Sequence, residues 1–413
     1  MINWWFIGLL ISKIKGKLMF KTAPLNPPDS IFGLIEQFKK DTNPEKINLS
    51  VGVYQDESGA TPVMKCVRMA EQKLLDAAGT KSYLPIDGST SYNTAVGRLI
   101  LGDLDDQADV NSVTAQTPGG TVSLRLAGEL LRRVFNVDTI WMSNPTWANH
   151  PKIYGAAGLN VKKYEYLDEQ GTRLDFDRLV TSLEDTQPHE AILLHTVCHN
   201  PTGVDPTQEQ WEQLCSIIKE RQLFPIFDFA YQGFGTSIDA DAFPIRRFVE
   251  SGGEALICNS FSKNFGLYAE RVGGITAVSH DADVSRAMLS QIKLTIRTMY
   301  SNPPLHGGAI VDAVLNDPEL RTVWESELTE VRNRIQQLRD TFVNAMQTRI
   351  PEKDFQYILQ QRGMFSYSGL TAEQVERLRD EYSIYALSSG RINIAGINSG
   401  NLERLCDAIA AVV

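Results

Sequence analysis

Between residues 114 and 259 the chain alternates short apolar runs with longer amphipathic stretches. The runs at 139–143, 191–197, 225–229 and 255–259 read as buried strands, while 122–135 and 208–221 have helical spacing. Strands alternating with helices imply a mostly parallel sheet covered by helices on both faces. In such sheets ligands bind beyond the carboxyl ends of the strands. The polar loops Asn144-Pro-Thr-Trp147, His199-Asn-Pro-Thr-Gly203 and Ala230-Tyr-Gln-Gly233 all fall at those ends.

A fourth loop carries the sharpest chemistry. Ser260-Phe-Ser-Lys263 follows the run at 255–259, another apolar run stands at 275–278, and Arg271 comes eight residues after the lysine. A partly desolvated lysine loses pKa and becomes a nucleophile toward aldehydes. Two hydroxyls and a guanidinium nearby suit a phosphate dianion. Lysine and phosphate site together point to pyridoxal phosphate (PLP), held on Lys263 as a Schiff base. Taken alone, the same residues also describe an exposed loop lysine beside a surface arginine.

Other positions offer a partner for each part of that cofactor. Gly119-Gly120-Thr121 opens a helix, where free amides favour an anion, or simply makes a turn. Asp228 ends a strand, and a buried carboxylate there needs a cation such as a protonated pyridine nitrogen; otherwise it caps the next turn. Tyr231 and Asn200 could donate to the ring oxygen, and Trp147 offers a stacking face unless it is plain core. His195-Thr-Val-Cys-His199 matches no standard zinc spacing, so no metal is expected, and these histidines, with His150, read as support for Asp228. Arg297 and Arg391 would select a dicarboxylate if both faced the cofactor.

The whole of 413 residues allows two or three domains. A net charge of −10 argues against a nucleic-acid surface, and five scattered cysteines read as reduced core thiols of a cytosolic protein. Residues 1–18 hold an apolar run too short to span a bilayer and read as a leader or a mis-called start, with a peripheral anchor as the alternative. Beyond them, a proline-rich arm over 24–28, a helix over 31–40 with Ser30 as its cap, a strand over 48–54 and a helix over 63–78 are expected. The last third reads as an α+β lobe, with strands at 355–359, 363–368 and 391–395 and helices at 307–315, 320–346, 371–382 and 402–412.

Ser260-Phe-Ser-Lys-Asn-Phe-Gly-Leu-Tyr-Ala-Glu-Arg-Val-Gly273, Asn200-Pro-Thr-Gly203, Asp228-Phe-Ala-Tyr231, Ser143-Asn-Pro-Thr-Trp147 and Ser389-Gly-Arg391 resemble the class I, fold type I PLP-dependent aminotransferases, in order and spacing. Within that family the aspartate branch is the nearer, with the aromatic branch as its sister. The resemblance implies an α/β fold: a mostly parallel seven-stranded sheet in a large domain at 62–328, a small C-terminal α+β domain at 329–413, and an arm plus part of the small domain at 19–61.

It implies roles as well. Lys263 would carry PLP and shuttle the proton, Asp228 would pair with the pyridinium, and Tyr231 and Asn200 would hold the ring oxygen. Trp147 would stack on the ring. Gly120, Thr121, Ser260 and Arg271 would bind the phosphate with Tyr83 of a second subunit. Arg391 would bind the substrate α-carboxylate, Arg297 of the second subunit the distal one, and Gly52 would lie beside the substrate. The resemblance implies a homodimer with active sites shared between subunits, and a cytoplasmic protein is expected, with no nucleic-acid or membrane partner. L-Aspartate with 2-oxoglutarate is the implied substrate pair. Gln361-Arg-Gly-Met-Phe-Ser-Tyr367 and Ala313-Val-Leu-Asn-Asp317 echo the aromatic branch, and Val122 departs from the glycine usual after the Gly-Gly-Thr triplet. A decarboxylase or lyase of the same fold need not keep both arginines, and a DNA-binding regulator would need a further domain.

Overall fold

The computed structural model of the protein describes residues 20, 23–25 and 30–413. The leader at 1–18, most of the proline-rich arm and the Ser30 side chain lie outside them. Helix α1 (Ser30–Lys40) and the short strand β1 (Ile47–Asn48) precede α2 (Lys65–Asp76) and α3 (Thr90–Leu101). A seven-stranded sheet follows, built from β2 (Asn111–Thr117), β3 (Thr139–Asn144), β4 (Asn160–Glu165), β5 (Ala191–His195), β6 (Phe224–Phe229), β7 (Ala255–Ser260) and β8 (Gly273–Ser279). Its order is β2-β8-β7-β6-β5-β3-β4. β4, β3, β5, β6 and β7 run parallel, and β8 lies antiparallel to both β7 and β2. The reason is local: residues 261–272 hold no helix, so β8 turns straight back along β7.

Helices α4 (Gly120–Arg133), α5 (His150–Ala156), α6 (Phe176–Leu183), α7 (Gln208–Glu220), α8 (Phe243–Glu250) and α9 (Ala282–Met299) connect or flank these strands. Both faces of the sheet are dry. Along β5 and β6, Ile192, Leu194, Phe227 and Phe229 enter one core, and Ala191, Leu193 and Ile226 enter the other. That is why these strands read as unbroken apolar runs. Strand β4 escaped the sequence reading because it is a sheet edge whose residues, apart from Tyr164, are exposed or half-buried.

After α10 (Leu305–Asn316) comes α11 (Pro318–Arg349), a 32-residue helix capped by Asp317, whose Oδ1 accepts from Glu319 N and Leu320 N. The remainder comprises β9 (Phe365–Tyr367), α12 (Ala372–Tyr382), β10 (Ile384–Tyr385), β11 (Arg391–Asn393) and α13 (Leu402–Val412). β1 pairs with β10 in parallel, and β9 pairs with β11 antiparallel.

Two expected strands fail. Residues 355–359 instead lead through a 3₁₀ turn, Gln356–Gln360, started when Asp354 Oδ1 takes the Gln356 N–H at 2.7 Å. At 48–54 only Ile47–Asn48 joins a ladder. Beyond it the Asn393 side-chain amide donates to the Val51 and Val53 carbonyls at 2.8 Å each, in place of a strand partner.

Candidate active site

A cavity of about 250 Å³ opens where β3, β5, β6 and β7 end, at the edge the alternating pattern pointed to. Asp228, next to last in β6, lies on its lining at 8 % exposure. Its Oδ2 is 3.0 Å from Nε2 of the fully buried His150. A carboxylate can only accept, so His150 donates through Nε2, and its other nitrogen, Nδ1, lies 2.8 Å from Thr146 Oγ1. Thr146 Oγ1 is also within hydrogen-bond distance of His195 Nε2, at 3.1 Å. The His195 ring packs on His199, centroids 4.2 Å apart, and His199 stacks on Tyr166 at 4.0 Å. Burial raises the Asp228 carboxyl, but the hydrogen bond and charge of His150 outweigh it and leave it below its ordinary value. Burial pulls His195 down to about 3, and the neighbouring imidazole of His150 adds to this. Support of Asp228 by histidines, expected from sequence, is what the geometry gives.

Lys263 reaches the cavity from the loop after β7. Its Nζ lies 5.1 Å from the centroid of the Tyr231 ring and makes no hydrogen bond or ion pair among the described residues. Burial lowers its pKa, the Asp228 charge opposing and those of Arg271 and Arg391 adding to the fall.

At the far end of the cavity α4 begins at Gly120 without a side-chain cap. Gly119 has φ +85°, and a Cβ there would stand 2.7 Å from Arg271 Nη2, so glycine is required. Arg271 Nη1 donates to Ser262 Oγ at 3.3 Å, and Ser260 Oγ is 3.2 Å from the same hydroxyl. The start of α4, two serines and one guanidinium thus face one space, and among the described residues no carboxylate pairs with that guanidinium. This is an anion cup.

The opposite wall is Arg391, 2 % exposed. Its Nη1 donates to Asn200 Oδ1 at 3.2 Å and its Nη2 to the Ser50 carbonyl at 2.5 Å, while Nε is buried with no hydrogen-bond partner among the described residues. Burial lowers it to about 10, which leaves it cationic at neutral pH. The Phe365 ring lies flat beneath, its centroid 4.0 Å from the guanidinium carbon. Asn200 Nδ2 is 3.5 Å from the Tyr231 hydroxyl. Gly52 lines the same wall, where a Cβ would stand 2.8 Å from Phe365 Cζ. Thr121 and Trp147 complete the lining.

Tyr83 and Arg297, the two residues expected from a second subunit, do not reach this cavity. Tyr83 is 93 % exposed, and Arg297 is exposed on the last turn of α9, bonded to Ser301 Oγ. Ser262, Tyr268 and Phe365 were not singled out individually, yet all three line the site. Ser262 was legible as the second hydroxyl before Lys263; the two aromatics carried no signal that separates a cavity wall from core.

The donor set fits a flat, phosphorylated aldehyde: cup, unpaired amine and buried carboxylate lie along one cavity of suitable size. The family model described as "Aminotransferase class I and II" matches residues 44–409. The aspartate aminotransferase of Escherichia coli K12 is 46% identical over 396 residues, which is 96% of this chain and all of that one. The aromatic-amino-acid aminotransferase of the same organism is 42% identical over 397 residues, with the same coverage. A solved aromatic-amino-acid aminotransferase from Burkholderia pseudomallei, covalently bound to pyridoxal phosphate, superposes with TM-score 0.92 at 45% identity, covering 95% of this chain and 99% of that one. The chain belongs to the class I and II aminotransferases.

Proposed function

We propose that the protein moves an amino group between L-aspartate and 2-oxoglutarate, giving oxaloacetate and L-glutamate, with PLP held at Lys263. The observation that carries this is the unpaired Lys263 amine set between an anion cup and a buried, histidine-supported carboxylate. Gly120, Thr121, Ser260 and Arg271 hold the phosphate, with Ser262 beside them. Asp228 would pair with the pyridine nitrogen and keep it protonated. Tyr231 and Asn200 would hold the ring oxygen, and Trp147 would offer a stacking face.

Bound there, PLP supplies the aldehyde that takes up the amino group and the electron sink that lets a Cα–H bond ionise. The residues do the rest. Arg391 binds the substrate α-carboxylate and fixes its Cα; Lys263 Nζ, as a neutral amine, would take the proton from Cα and pass it to the carbon that brought the aldehyde, not back to Cα. The two half-reactions use the same groups in opposite directions, so donor and acceptor acids bind in turn.

A homodimer accounts for the two residues outside the cavity: Arg297 and Tyr83 of each subunit would serve the other's site, as distal-carboxylate clamp and phosphate ligand. The large domain then spans 62–328 and the small one 329–413, with 19–61 supplying the N-terminal arm and part of the small domain, and the boundary falls within α11. The setting is the cytoplasm; among the described residues no helix is long and apolar enough to cross a membrane.

Dual specificity, with tyrosine or phenylalanine as donor, is the second reading. It is favoured by the Gln361–Tyr367 segment, whose Phe365 stands in the substrate wall. Two measurements test the pair. Purified protein incubated with PLP should turn yellow, and Lys263→Ala should bind PLP without transaminating; a colourless protein would sink the cofactor assignment. The ratio of kcat/KM for aspartate and phenylalanine, with 2-oxoglutarate as acceptor, then decides the donor.

A further inference from the structure

Arg339 sits on α11, outside the cavity and outside every role assigned above, and is 1 % exposed. Its guanidinium makes no ion pair among the described residues. All its hydrogen bonds go to one segment: Nη2 donates to the Gly363 carbonyl at 2.7 Å and the Phe365 carbonyl at 3.1 Å, and Nε to Ser366 Oγ at 3.3 Å. Burying a charge with no countercharge is costly, so an arginine kept there calls for a reason other than stability.

The backbone supplies one. β9 belongs to a two-stranded sheet, and its inner edge is taken by β11. Carbonyls alternate along a strand: that of Met364 turns toward β11 and accepts from Ile394 N at 2.9 Å, while those of Gly363 and Phe365 face outward. In most sheets a further strand would meet them. Here one nitrogen of Arg339, Nη2, donates to both, and Nε holds the Ser366 hydroxyl beside them.

What β9 carries makes the position matter. Its Phe365 ring lies beneath the Arg391 guanidinium, and in the ladder Phe365 pairs with Asn393 and Tyr367 with Arg391. The Phe365 carbonyl is also where the Asn200 loop seats, since a Cβ on Gly203 would stand 2.8 Å from it. Asn200 in turn accepts from Arg391. Two neighbours of the carboxylate-binding arginine, the ring below it and the amide beside it, are therefore registered against one carbonyl.

We infer that Arg339 is a positioning residue for the substrate carboxylate: it stands in for a third strand and fixes β9 so that Phe365 and Asn200 hold the Arg391 guanidinium. This rests on the proposed function, in which Arg391 binds that carboxylate. Donor and acceptor acids present the same group to Arg391, so loss of Arg339 weakens both together and leaves the phosphate cup alone.

The test uses holoenzyme carrying Arg339→Met, Arg339→Lys or Ser366→Ala, with succinate as a non-reacting dicarboxylate. Succinate Kd, PLP Kd, both KM values, kcat and thermal midpoint are measured. In Arg339→Met, succinate Kd and both KM values should rise together by about tenfold, with PLP Kd and kcat within about twofold of wild type, and Arg339→Lys, which keeps a cation but not the Nε donor, should move the same way and less. Ser366→Ala should move them the same way and less. If Arg339→Met does not fold, the other two variants carry the test. A lowered thermal midpoint with unchanged succinate affinity would mean that Arg339 only holds the fold, and the inference falls. It falls equally if PLP affinity drops in parallel. Wild-type protein that fails to bind succinate overturns the proposed function along with it, whereas wild type that binds, with unaltered variants, overturns this inference alone.

Discussion

The imidazole of His150 donates through Nε2 to Asp228 Oδ2 at 3.0 Å, and His150 is fully buried. The bond, with the charges of His150, His195 and Lys263, offsets burial and keeps the carboxylate below its ordinary pKa. His150→Ala should leave Asp228 short of one charge-directed hydrogen bond, worth about 1.5–3 kcal/mol. Its carboxyl pKa then rises, its hold on the pyridine nitrogen weakens, and both PLP affinity and kcat fall. His150→Asn can keep one donor and should lose less. Equal PLP affinity in wild type and His150→Ala would show that the bond does not support the cofactor.

Acid should destabilise the fold before its ordinary carboxylates titrate. His195 is held at about 3 in the folded state against 6.5 ordinarily, chiefly by burial. The sign follows from proton uptake: below pH 6.5 the unfolded chain binds a proton that the folded one refuses. Stability is therefore complete above that pH and falls by about 1.4 kcal/mol per unit between 6.5 and 3 for this residue. His199, pulled down by burial and its neighbours, acts in the same direction. Asp228 acts later: its carboxyl is depressed, so its contribution is full above 3.8 and lost as pH falls below that value. Urea midpoints between pH 7.5 and 5 should decline, and His195→Gln should flatten the decline. An identical slope in that variant would refute the assignment.

The sheet was legible because both its faces are buried, so Ile192, Leu194 and Phe227 appear as continuous apolar runs whichever face they enter. β4 was not, being an edge with polar residues outward. Lys263, Asp228 and Arg391 could be read because charged residues beside apolar runs need partners, and the fold brings those partners together. Phe365 and Tyr268 could not, since an aromatic in an apolar stretch has the same sequence signature whether it faces core or cavity. The region at 355–359 was misread for a related reason: Tyr357 and Ile358 are buried side by side, which a turn permits and a half-buried strand does not. Arg339 shows the reverse case. A helix full of arginines gives no hint which one turns inward.

The lysine loop is tied to α11 through Trp324. Its indole nitrogen donates to the Asn264 carbonyl at 2.7 Å, and its ring stacks on Phe265 at 4.6 Å, fully buried. Asn264 follows Lys263 directly, so this contact sets where the amine stands. Trp324→Ala should cost about 3–5 kcal/mol of stability, from the cavity and the lost bond together. Trp324→Phe retains stacking but leaves the carbonyl unpaired; it should fold, lose less stability, and lower kcat more than KM. Chemical denaturation read beside steady-state kinetics separates the two. A Trp324→Phe enzyme with wild-type kcat would show that the loop holds its position without this bond.

Arg297 and Lys263 provide the sharpest check on the proposed sharing of sites, in which Arg297 of one chain would serve the Lys263 site of the other. Arg297→Ala should lower kcat/KM for aspartate far more than for phenylalanine, by about 2–5 kcal/mol of transition-state binding if it meets the distal carboxylate directly. Equal losses for both donors would remove it from that role. Lys263→Ala should be inactive by itself. In a mixed dimer of the two variants, one site carries both defects, and the other has an intact lysine with an intact arginine from its neighbour. Unfolding and refolding an equal mixture should therefore restore about a quarter of wild-type aspartate activity, as random pairing of a symmetric dimer requires. If both residues served the same chain's site, every site in the mixture would keep one defect and no activity would return. Activity that stays at the level of the separate variants would place Arg297 outside the partner's site.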